Sequence, residues 1–183
     1  MSRKLIWDHC LPCKVSIFMW KMLNKYLSFP KALHKFGFQL PSKCFFCSSE
    51  ETSDHVLSDC RFAATIWGFF SHALKLPGFS SNGILMQLQH WWSNTSLSSA
   101  RGLFLIILPS IICLEIWKVQ NHLFYNGSNT CHMQVCRHIQ LSVLSISQVF
   151  PFVQATSEDL TLVNLGLVSR LSIPKPKVPI SIL

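Results

Sequence analysis

Residues 44–60 read CFFCSSEETSDHVLSDC, and the spacing inside this stretch decides how the chain around it folds. Cys44, Cys47, His55 and Cys60 stand as Cys-x2-Cys-x7-His-x4-Cys. Three thiols and one imidazole are the closed four-ligand set of a structural zinc (Zn2+) site, which keeps no position open for substrate. Cys-x2-Cys lets one tight turn aim two thiolates at a single metal, and His-x4-Cys brings the second pair back to it. Glu50, Glu51 and Asp54 in between read as a solvated loop. Chance pairing is the rival explanation, because the chain holds eight cysteines.

Helical patterns flank this array on both sides. From Pro12 to Leu27, Val15, Phe18, Met19, Met22, Leu23, Tyr26 and Leu27 recur with the rhythm of an amphipathic helix. Pro12 suits the first turn, where its missing N–H has no intrahelical partner to lose. Lys14, Lys21 and Lys25 share one side. Ile17 and Trp20 lie off the apolar stripe, so the helix is expected to pack on two neighbours. A short helix is expected over Pro30 to Phe36, capped by Ser28 and ended by Gly37 in a left-handed conformation. Another follows the ligands, Arg61 to Leu76, and Pro77-Gly78 stops it before a linker over Phe79 to Gly83.

The C-terminal half is also helical in pattern. Gly102 to Leu114 is apolar, but thirteen residues fall short of the roughly 18–20 that a spanning helix requires, so a buried helix is expected and no membrane. Leu103 to Phe124 reads as one or two helices interrupted near Pro109, and Asn126 to Asn129 as a turn. Cys131 to Val149 repeats Val135, Ile139, Val143 and Ile146 at helical spacing. A last helix is expected at Leu160 to Leu171, before an extended tail around Pro174, Pro176 and Pro179. No strand pattern emerges, so the fold class is mainly α. The expected organisation is a zinc-binding helical domain over 1–76, a linker over 77–100, a helical connector over 101–150 and a weakly ordered tail over 151–183.

Charge is sparse and unevenly placed. Only 13% of the 183 residues are charged, about half the usual share. Residues 1–43 nevertheless hold Arg3, Lys4, Lys14, Lys21, Lys25, Lys31, Lys35 and Lys43 against Asp8 alone, a net of +7. Such a concentration is the footprint of a phosphate-binding surface, with a solvated helix face as the alternative. Phe45 and Phe46, at the tip of the zinc turn, either stack on unpaired bases or pack on neighbouring helices. Trp7, Trp20 and Trp67 read as core, and Trp91-Trp92 receives no role. No secretory signal opens the chain, so an intracellular site, nucleus or cytoplasm, is expected, with reduced thiols that favour metal over disulfides. Cys10-x2-Cys13 straddles a helix start, and Cys131, His132, Cys136 and His138 match no closed site. Pairing Cys10 and Cys13 with Cys44 and Cys47 as a four-thiolate site is the less favoured alternative; the second cluster reads more simply as helix-borne residues, and Cys113 as a small buried hydrophobe.

Several anchors in order carry a family likeness. Trp7, the run Leu11 to Trp20, Leu27, Leu33, Gly37, Leu40-Pro41, Cys44, Cys47, Glu51-Thr52, His55-Val56-Leu57, Cys60 and Trp67 together resemble the reverse-transcriptase zinc-binding domain of plant non-LTR (LINE-type) retroelements. A weaker likeness follows at Ile116-Trp117-Lys118, Asn121 and Phe124, where the family's connector carries Trp-Lys-x-Arg-Asn-x-x-x-Phe. Here Gln120 takes the Arg position and the Phe comes one residue early. The resemblance implies that longer relatives carry a reverse transcriptase before this segment and a ribonuclease H domain after it. Both activities need clustered carboxylates to hold divalent metal ions. This chain's four aspartates and four glutamates are scattered, so no catalysis and no small-molecule substrate are expected. Two functions remain: a zinc-stabilised module that binds nucleic acid, RNA or DNA, through basic helices, or a structural adaptor that packs against reverse-transcriptase or ribonuclease H domains. A decayed fragment without a selected role is the third possibility.

Overall fold

Residues 104 to 113 form an unbroken buried run, and a helix apolar on every side has to be surrounded. The computed structural model describes residues 6–7, 11–29, 33–34, 36–39, 43–77, 83–93, 100–127, 130–147, 161–162 and 165. The run lies in α5 (Ala100–Asn126), and the other elements gather round it. They are α1 (Cys13–Leu23), α2 (His55–Asp59, a single π-type turn), α3 (Arg61–Ala73), α4 (Ile84–Trp92) and α6 (His132–Ser147). Each of the five touches α5, α3 also packs on α6, and α2 lies against both α3 and α4. Among the described residues there is no strand, only an isolated antiparallel bridge between Lys43 and Glu50. The fold is mainly α.

Pro109 does not interrupt α5, contrary to the sequence-based expectation. A proline there leaves the Leu105 carbonyl without its usual donor and costs about 3 kcal/mol. Burial of the large side chains on either side, at about 1.5–3 kcal/mol each, outweighs that cost. The Ser110 hydroxyl donates to the Ile106 carbonyl at 3.2 Å one turn back. Continuity makes residues 101–126 long and apolar enough to cross a bilayer, which the thirteen-residue reading missed. Within this molecule, 78% of the most apolar window is buried, as in the core helix of a globular protein.

α1 packs against α5 and buries Val15, Phe18, Met19 and Met22. Ile17 and Trp20 stay exposed, so the expected second neighbour is absent among the described residues. Trp20 (39% exposed) rests on Tyr26, and Trp7 is 54% exposed, so of the three expected core tryptophans only Trp67 is buried. α1 ends four residues before Leu27. Lys25 takes φ +60°, its N–H bonds the Met22 carbonyl, and the Tyr26 N–H reaches the Lys21 carbonyl at 2.7 Å. That is a Schellman stop. α3 ends the same way on Lys75, and Arg101 Nη2 donates to the Leu74 carbonyl at 2.7 Å. Gly37 adopts φ +86°, the left-handed turn expected of it, although most of the expected 30–36 helix lies outside the described residues.

α4 occupies 84–92, inside the stretch read as a linker. Its Trp91 is buried edge-on against Trp67, with ring centroids 5.6 Å apart. The expected helix over 160–171 and the tail lie almost wholly outside the described residues.

Candidate metal centre

The first ligand pair sits on a tight turn. The Ser48 N–H bonds the Cys44 carbonyl at 2.9 Å, the Cys44 N–H bonds the Ser49 carbonyl at 2.8 Å, and Ser48 takes φ +60°. The Lys43–Glu50 bridge closes the turn behind them. The second pair depends on α2. Thr52 Oγ1 accepts the His55 N–H at 3.1 Å, the pattern of an N-cap three residues ahead. The Cys60 N–H then bonds the His55 carbonyl at 2.7 Å, a span of five residues. In an α-helix, residues five apart point about 140° away from each other. The wider π-type turn brings His55 and Cys60 over one another instead.

The four ligand atoms lie within 4.8 Å of one another. Cys44 Sγ is 3.6 Å from Cys60 Sγ, Cys60 Sγ is 3.9 Å from Cys47 Sγ, and Cys47 Sγ is 2.9 Å from His55 Nε2. A tetrahedron of thiolates about 2.3 Å from zinc has sulfur–sulfur edges of about 3.8 Å, so the sulfurs fit such an ion as they stand. No pair is bonded as a disulfide; all three cysteines are free thiols. Cys44 and Cys60 are buried, His55 is half-buried and Cys47 faces solvent. The hydrogen bond from Cys44 holds the Cys60 thiol below its ordinary pKa, while the same bond, and then burial, push Cys44 up. A cation among the four favours the charged form at every sulfur.

Soft donors, tetrahedral spacing and a full ligand count fit one structural zinc ion, which when bound ties the Cys44–Cys47 turn to α2. The fold and this donor set define a structural zinc-binding domain of helical type. Residues 1–67 match the family model described as zinc-binding in reverse transcriptase, a span that contains all four ligands. The match supports a reverse-transcriptase zinc-binding domain over these residues. No curated protein and no solved structure matches the chain.

The other candidate residues are spread around the centre. Lys14, Lys21, Lys25 and Lys43 are exposed; Lys31 and Lys35 lie outside the described residues. Phe45, 51% exposed, meets Phe124 edge-on at 6.3 Å. Phe46 is half-buried and stacked on Phe62 at 3.9 Å. Cys10 lies outside the described residues. Cys131, His132 and His138 are exposed while Cys136 is buried, and among the described residues only the Cys44–Cys60 group gathers metal-type ligands. Burial pushes the Cys136 thiol up to about 11 and raises that of Cys113, which keeps both unreactive.

Of the acidic residues expected to be solvated, Glu51 is buried, and Asp54, exposed as expected, also has a distant backbone partner. Glu51 is 2% exposed, and its Oε1 accepts a hydrogen bond from Gln120 Nε2 at 2.8 Å. Asp54 Oδ1 accepts the Ile84 N–H at 3.0 Å and so caps α4. The fixing partners lie 69 and 30 positions away, beyond any local pattern.

Proposed function

We propose that this is a non-catalytic, zinc-stabilised module, derived from a plant-type non-LTR retroelement, that binds single-stranded nucleic acid through its basic N-terminal surface. The observation that carries the reading is that Lys14, Lys21, Lys25 and Lys43 are all exposed and none forms an ion pair among the described residues. Lys31 and Lys35 add charge to the same segment. Unpaired cations are free to displace the counterions of a phosphate chain. Phe45 is 51% exposed and meets Phe124 only edge-on, whereas Phe46 is already stacked on Phe62.

Fluorescence anisotropy with a labelled single-stranded RNA across a salt series tests this reading. Lys21→Glu/Lys25→Glu should weaken binding and flatten the log–log salt slope by about 1.4, at roughly 0.7 per lost phosphate contact. Zinc content should stay unchanged. An unaltered slope would show that these lysines touch no phosphate.

An adaptor reading is favoured by a separate observation. Trp7, Ile17, Trp20, Tyr26, Phe36 and Phe38 are large, apolar and exposed within the first forty residues. Apolar surface of that extent suits a packing partner, such as a reverse-transcriptase or ribonuclease H domain. Co-purification of the chain with either domain, lost on Ile17→Asp/Trp20→Asp, is the outcome this reading expects.

A further inference from the structure

The three cysteines of the metal centre differ in their access to solvent. Cys44 and Cys60 are 2% and 1% exposed, whereas Cys47 is exposed on its turn. Cys60 Sγ is close to both of the others, 3.6 Å from Cys44 Sγ and 3.9 Å from Cys47 Sγ. All three are free thiols. Cys13 and Cys131 are exposed as well, but neither belongs to this group, and Cys113 and Cys136 are buried. Among the described cysteines, Cys47 alone combines exposure with a place in the sulfur cluster.

Oxidation of a cysteine follows its thiolate character and its access to the oxidant. It stays reversible where a second thiol stands close enough to capture the first product. A bound cation keeps its cysteine ligands as thiolates, so the charge that Cys47 offers to the metal is also offered to solvent. We propose that the zinc centre is a redox switch, in which hydrogen peroxide oxidises Cys47 and Cys60 captures it as a Cys47–Cys60 disulfide, with release of zinc. The switch needs the zinc site alone, not the nucleic-acid surface. In the first step Cys47 Sγ attacks one peroxide oxygen. The sulfur–oxygen bond forms as the oxygen–oxygen bond breaks, and the departing hydroxide takes up a proton to become water. In the second step the Cys60 thiolate attacks the sulfur of the Cys47 sulfenic acid. The sulfur–sulfur bond forms, the sulfur–oxygen bond breaks, and the second hydroxide also leaves as water. Two thiolates, one peroxide and two protons thus give one disulfide and two waters, each sulfur supplying one electron. Cys44 and His55 remain as ligands, too few for a closed tetrahedral site. The new bond still joins the Cys44–Cys47 turn to the residue that follows α2, and a dithiol reductant returns both sulfurs to thiols.

The test titrates the full zinc-loaded chain with hydrogen peroxide beside a chromogenic chelator too weak to strip the unoxidised protein. Remaining thiols are alkylated, and the peptides are mapped by mass spectrometry. Zinc release should rise in step with the Cys47–Cys60 disulfide, and dithiothreitol should restore zinc uptake. Cys47→His keeps four metal-type ligands but removes the exposed thiol, and should release zinc several-fold more slowly. If that variant binds no zinc, the disulfide map of the wild-type chain decides alone. Zinc release with a Cys44–Cys47 or Cys44–Cys60 disulfide, or a variant as sensitive as wild type, would overturn the assignment. So would zinc retained while Cys13 or Cys131 is oxidised first. Uptake that dithiothreitol fails to restore would mark irreversible oxidation and overturn the switch.

Discussion

A carboxylate with one hydrogen bond and almost no exposure is costly to keep charged, and Glu51 occupies that position. Burial raises its pKa above the ordinary 4.5, and the bond from Gln120 offsets only part of the rise. The folded state therefore holds the proton more tightly than the unfolded one. Stability falls as pH climbs from 4.5 through the raised folded value, then levels off. Glu51→Gln removes this loss, because its neutral amide keeps an acceptor for Gln120 Nε2 and carries no charge to desolvate. The variant should be more stable than wild type by about 1–3 kcal/mol at pH 7, with the advantage shrinking as pH falls toward 4.5. Urea denaturation at pH 7 and pH 5 checks this, and the zinc thiolates, common to both proteins, drop out of the difference. None of this was legible locally: a glutamate among Ser, Glu and Thr looks solvated. Its partner Gln120 stands where the chain departs from the connector pattern it resembles, a departure that by itself does not point to Glu51.

Element boundaries are set by backbone conformations that ordinary side chains tolerate poorly. Lys75 holds φ +51° at the end of α3, a left-handed position that costs an L-residue about 1 kcal/mol or more. Lys75→Gly should raise stability by about that much, read as a higher Tm by circular dichroism. Gly83 is the reverse case. It takes φ +102° before α4, and a Cβ there would lie 3.0 Å from Asp54 Oδ1, the atom that caps the helix. Gly83→Ala should lower stability by about 1–3 kcal/mol in the same measurement. The helices α3 and α6 were readable from periodicity because each buries one stripe. α5 was harder: buried on all sides along residues 104–113, it has little amphipathic signal, and Pro109 argued for a break. Propensity yields there to burial.

At the scale of the molecule, one apolar cluster reaches from Ile6 through Val56, Leu57 and Cys60 of the zinc segment to Phe104–Cys113 of α5 and Val143 of α6. A site that shares its core with the central helix cannot be released without weakening that helix's packing. Chelation of zinc, or Cys44→Ser/Cys47→Ser, should shift the whole helical melting transition to lower temperature as one step. Two transitions, one of them unmoved, would show instead that the zinc loop is an independent unit. Ligand spacing and helical period were enough to establish the mainly α class, the Cys3His set and the helices on either side of it. Both signals act over a few residues, and both survive in any tertiary arrangement. The tertiary structure alone decided the π-type turn that aligns His55 with Cys60, the unbroken α5, the helix inside the expected linker and the burial of Glu51 against Gln120. Those features depend on which distant groups meet, and burial and hydrogen-bond satisfaction are settled only when they do.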